Sequence, residues 1–116
     1  MDLEGFVEDA VESLAGHPDP ILVDVPSGGG TLLPLLERSG FAGVVVETDI
    51  AARMLARGVS LRESLPVGIR TVFLRCDALD LPMDDAAADA VVSINGLPAA
   101  SCMSSRVSQS PAVVSG

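Results

Sequence analysis

Apolar and polar positions in this chain follow two alternating periods. Over residues 3–15, Phe6, Val7, Ala10, Val11 and Leu14 recur at helical spacing, with acids on the other face; this predicts an amphipathic helix. Gly16 and Pro18 end it. Residues 21–25 form a short apolar run rich in β-branched side chains, as a strand buried on both faces requires. A helix is expected over 31–38, with Thr31 as its cap, Pro34 in its first turn and Gly40 as its stop. A second buried strand follows at 43–48, then a helix over 50–57 closed by Gly58. Residues 60–65 read as a short helical piece ended by Pro66. Third and fourth strands are expected at 70–76 and 90–94. Strands alternating with helices predict an α/β fold whose parallel sheet is joined by right-handed crossovers. Neither an internal repeat nor a coiled-coil heptad is evident. Residues 101–116 hold six serines and no acid, without a clear period. The expected organisation is an N-terminal helix and turn over 1–19, a core over 20–100 and a serine-rich, unstructured tail over 101–116.

Composition narrows the function classes. A chain of 116 residues is one domain at most, and its 48% hydrophobic content excludes disorder throughout. A net charge of −9 argues against nucleic acid as a partner, because phosphate binding needs basic patches. No apolar run approaches the roughly 20 residues that span a bilayer, so no membrane partner is expected. The start, Met1-Asp2-Leu3-Glu4, is acidic, unlike a signal peptide. Cys76 and Cys102 are the only cysteines. Without a secretion signal they read as reduced thiols, so a cytoplasmic location is expected. One histidine, His17, and two separated cysteines make no metal site.

The candidate chemistry lies at the ends of the expected strands, where open parallel sheets bind ligands. Strand one runs through Asp24 into Gly28, Gly29 and Gly30. Strand two ends in Glu47-Thr48-Asp49, strand three in Cys76-Asp77-Ala78, and strand four in Ser93-Ile94-Asn95-Gly96. Glycines there let backbone approach a ligand, and a helix start adds free N–H donors. Asp49 is placed to accept hydrogen bonds from a ribose diol, and Asp77 from an exocyclic amine. Ile50 could give a base an apolar contact. A dinucleotide fingerprint would need a third glycine where Leu33 stands, and Asp24 would repel a pyrophosphate. No Gly-Lys-Ser/Thr element marks a nucleoside triphosphate site. An acid before the glycines suits a nucleoside with a cationic end.

Five segments in order resemble the class I S-adenosylmethionine-dependent methyltransferases, across residues 20–98. They are Val23-Asp24-Val25-Pro26-Ser27-Gly28-Gly29-Gly30, Asp49-Ile50-Ala51-Ala52-Arg53-Met54-Leu55, Cys76-Asp77-Ala78-Leu79-Asp80-Leu81-Pro82, Ala88-Asp89-Ala90-Val91-Val92-Ser93 and Asn95-Gly96-Leu97. The chain departs from the family at Pro26 (a glycine there), Ala51 (a serine) and Ala88 (a phenylalanine). The resemblance implies a Rossmann-like three-layer sandwich with a mostly parallel sheet. It would be incomplete here, with about four strands in the order 3-2-1-4 and strand four left as a bare apolar edge open to self-association. It implies S-adenosyl-L-methionine as cofactor and methyl transfer to a small-molecule acceptor. Asp24, Gly28 and Gly30 would hold the methionine end, and Asp49 the ribose. Asp77 would hold the adenine amine, with the Ala78 N–H on the ring. Asn95 would line the transfer face. No general base is indicated. The alternatives are a non-catalytic remnant that at most binds the cofactor and, more weakly, a piece of an NAD(P)-binding oxidoreductase.

Overall fold

The first apolar stripe of the chain becomes α1 (Leu3–Glu12), which buries Val7 and Ala10. The computed structural model describes residues 3–25, 28–76, 88–93 and 112–115. After α1 come β1 (Ile21–Asp24), α2 (Leu32–Arg38), β2 (Gly43–Asp49), α3 (Ala52–Arg62), β3 (Ile69–Arg75), β4 (Ala90–Ser93) and β5 (Ala112–Ser115). They build one sheet in the order β3-β2-β1-β4-β5, with every neighbouring pair parallel. The order 3-2-1-4 is therefore as expected, and β1 lies at the centre.

Adjacent residues of β1 serve opposite faces, as the two-residue period of a strand demands. Leu22 joins Val45, Ala90 and Val92 beneath Leu32, Leu33 and Leu36 of α2 and Val7 of α1. Val23 joins Val46 and Val91 on the other face. Each fully buried leucine contributes roughly 2 kcal/mol of transfer free energy. At the start of β1, the Ile21 N–H donates to Asp89 Oδ2 at 2.8 Å. Asp89 Oδ1 lies 3.2 Å from His17 Nδ1, so this histidine serves the base of the sheet, opposite the glycines.

Four expectations change. Gly58 does not close a helix; α3 runs through it to Arg62 and absorbs part of the expected 60–65 piece. A Cβ at Gly58 would fall 2.8 Å from Phe73 Cε1, so the glycine serves close helix–sheet packing. Thr31 is not a side-chain cap: it is already helical, and its hydroxyl donates to Gly28 O at 3.3 Å. Strand four is not a bare edge, because β5 pairs with it from Ala90↔Ala112 to Ser93↔Ser115. Ala112–Ser115 is thus a strand within the segment expected as an unstructured tail; residues 101–111 lie outside the described residues. On the other side the edge strand β3 carries Arg70, paired with Asp19, and Arg75, whose Nε donates to Ile50 O at 2.9 Å. Charges of this kind discourage further strand addition.

Candidate functional site

Parallel strands in register place partner side chains on the same face, about 4.8 Å apart. Asp24 of β1 is the partner of Glu47 of β2. Both are fully buried. Two residues further along β2, Asp49 lies on the same face and is 7% exposed. Three carboxyl groups therefore gather at the carboxyl ends of the two central strands, beside the glycine turn.

The turn forms because glycine tolerates what other residues do not. Gly28, Gly29 and Gly30 all have positive φ, at 58°, 87° and 83°. Gly30 also packs closely on α3: a Cβ there would lie 3.0 Å from Gly58 Cα and 3.1 Å from Leu61 Cδ1. The Gly28 N–H donates to Asp49 Oδ2 at 3.2 Å, and the Ala51 N–H to Asp49 Oδ1 at 2.9 Å. Asp49 thus holds the turn after β1 and starts the turn into α3 at once. The Thr48 hydroxyl donates to Asp24 O at 2.9 Å, fastening β2 to the end of β1.

Asp24 and Glu47 have no comparable donors. All four of their carboxyl oxygens are buried, and among the described residues no donor from outside the pair reaches them. Two carboxylates are both acceptors; only a proton on one makes them donor and acceptor. Burial pushes Asp24 well above the usual carboxylate range, and the charges of Glu47 and Asp49 push it further. Burial likewise raises Glu47, from 4.5 to about 7, against the lowering effect of a hydrogen bond from Asp24. The two carboxyls of the pair therefore share a proton. Sequence reasoning singled out Asp24 and Asp49 but missed Glu47. Its signal was a carboxylate inside an otherwise apolar strand, at the register of Asp24.

Of the other expected site residues, Ile50 stands at the mouth of the site, 63% exposed, where an apolar ligand surface could cover it. Gly28 lies beside Asp49, and Gly30 packs against α3. Asp77, Ala78 and Asn95 fall outside the described residues. Among the described residues no group of three or more acids, histidines or cysteines is arranged to hold a metal ion.

The arrangement offers clustered negative charge, backbone donors of a glycine turn and an exposed apolar residue. A pyrophosphate would meet repulsion here, whereas a cation would relieve an existing strain. A family model described as a methyltransferase domain matches residues 22–107. No curated protein is significantly similar in sequence. The fold is shared with a Bacillus halodurans protein at a TM-score of 0.66 and 21% identity, covering 90% of this chain and 44% of that one. Magnesium protoporphyrin IX methyltransferase from Synechocystis, with bound S-adenosylhomocysteine, gives a TM-score of 0.65 at 23% identity over 90% of this chain and 52% of its own. The cyclase SpnF gives 0.58 at 23% identity over 82% of this chain and 34% of its own. The chain thus spans about half the length, or less, of these solved structures.

Proposed function

The chain belongs to the methyltransferase domain family, and we propose that it binds S-adenosyl-L-methionine at the carboxyl ends of β1 and β2 for transfer of a methyl group to a small-molecule acceptor. The observation that carries this reading is the pair of buried, donorless carboxyls of Asp24 and Glu47 beside a glycine turn tied to Asp49. A ligand with an ammonium group at one end and a ribose in the middle supplies what these residues lack. Clustered carboxyls fit such a ligand and oppose a dinucleotide's pyrophosphate.

Asp24 and the turn at Gly28 and Gly30 receive the amino-acid end. Asp49 accepts from the ribose hydroxyls, and Ile50 covers one face of the base. Asp77 and the Ala78 N–H are assigned to the adenine edge, and Asn95 to the transfer face, by the family pattern alone. When bound, the sulfonium supplies the electrophilic methyl group. The chain's own part is to bind and orient it; no residue is assigned as a general base. Among the described residues no helix is long and apolar enough to cross a membrane.

Calorimetric titration with S-adenosylhomocysteine tests the reading. Binding in the micromolar to millimolar range is expected. Asp49→Asn should weaken it about 10- to 100-fold, the value of a hydrogen bond to a charged group. A folded sample that takes up no ligand refutes the site. Binding without turnover over a panel of acceptors would leave the chain a cofactor-binding protein only.

A further inference from the structure

At the level of Asp24 the sheet carries a row of five partners: Val114, Val92, Asp24, Glu47 and Phe73. The row is apolar at both ends and acidic in the middle. Glu47 therefore has Asp24 on one side and a hydrocarbon ring on the other. A single buried acid at a strand end could be explained by one ligand contact. A second, in register and without a donor, is costly unless something cationic or a proton lies between the two.

Among the described residues nothing else fills that role. Arg38 of α2, Arg53, Arg57 and Arg62 of α3 and Arg75 of β3 are all exposed, as are Glu37 and the acids of α1. Asp89 of the β4 side is engaged with His17 and Ile21 at the far end of the sheet. Cys76 packs on the opposite face. Among the described residues Asp49 is the one other charged group acting on the pair, and it is negative.

We infer that Glu47 is a positioning residue of the ligand site: with Asp24 it forms a two-carboxyl receptor that holds a proton when empty and exchanges it for the ligand's ammonium group. The inference rests on the cofactor reading above and adds to it a residue and a proton. The balance is simple. The pair gives up one proton to solvent and accepts N–H donors from the ammonium, which keeps its own proton. The site then selects ligands that carry the amino-acid end over nucleosides that lack it. Affinity rises with pH until the pair is fully ionised.

Titration of wild-type protein in phosphate and in Bis-Tris, whose ionisation heats differ, counts the protons exchanged. With S-adenosylhomocysteine, release approaching one proton is expected between pH 6 and 7, with affinity rising up to about tenfold over that unit. With 5′-methylthioadenosine, the same nucleoside without the amino-acid end, no release is expected. Glu47→Gln should lessen the proton release and flatten the pH profile, because the charge of Glu47 no longer holds a proton on the pair and its amide can donate to Asp24. Any proton exchanged by the ligand itself is common to wild type and variant. Equal proton release by wild type and Glu47→Gln, or by both ligands, overturns the inference. If Glu47→Gln fails to fold, the two-ligand comparison on wild type decides alone. Absence of binding to folded wild type at every pH refutes the cofactor site itself; binding with a flat pH profile refutes only the role of Glu47.

Discussion

Removing one carboxyl from the buried pair should stabilise the ligand-free protein at alkaline pH, against the usual direction of a core substitution. Glu47 is fully buried, and its ionisation is raised from 4.5 to about 7. The folded state therefore binds this proton more tightly than the unfolded chain. The stability it confers is present in full below about pH 4.5 and lost as pH rises through about 7. At about 1.4 kcal/mol per pH unit, that interval is worth about 3 kcal/mol. Glu47→Gln keeps the shape, removes the charge and gives Asp24 a donor. Urea unfolding followed by circular dichroism should show wild type losing about 3 kcal/mol relative to the variant between pH 5 and pH 8. The variant's melting temperature at pH 8 should lie about 10 °C above that of wild type. Carboxylates outside the pair titrate in both proteins, so the difference between the curves isolates the Asp24–Glu47 pair. Parallel curves over this range would refute the argument that the pair is strained by burial.

Two further substitutions probe the packing that places the site. Gly30→Ala combines a positive φ with a Cβ 3.0 Å from backbone of α3. It should cost about 1–2 kcal/mol from φ alone, read as a lower urea midpoint, and weaken S-adenosylhomocysteine binding as the turn moves from Asp49. Gly58→Ala gains about 1 kcal/mol of helix propensity but drives a methyl into Phe73. Net destabilisation of about 1 kcal/mol is expected. Phe73→Leu in the same chain should recover part of it, so additive losses in the double variant would contradict the contact.

The centre of the sheet was legible because buried parallel strands are written as unbroken apolar runs, and Ile21–Asp24 and Gly43–Asp49 are such runs. Their order followed from alternation with helices. Gly58 misled because a glycine after a helical segment is also a stop signal; the ring of Phe73, 15 residues away, decides which role it plays. Thr31 misled for a related reason: the glycine turn before it supplies the bend that a cap would otherwise mark. Glu47 was passed over because its importance comes from register with Asp24, and register is set between strands rather than along one. The strand Ala112–Ser115 carries the same four residues as Ala90–Ser93, a local signal that the serines around it obscured.

The central position of β1 also sets an order of events. Its pairing with β2 joins residues 23 apart, as in Ile21↔Val44, whereas its bond from Ile21 to Asp89 spans 68. Closing the longer loop costs about 1 kcal/mol more in chain entropy. The β1–α2–β2–α3–β3 half can therefore gather first, around contacts that are near in sequence. Asp24, the glycine turn, Glu47 and Asp49 all belong to that half. The acidic pocket is brought together before β4 closes the other flank of β1, so the chain must bury its two carboxyls while half of the sheet is still arriving. A shared proton lets it do so without any ligand at hand.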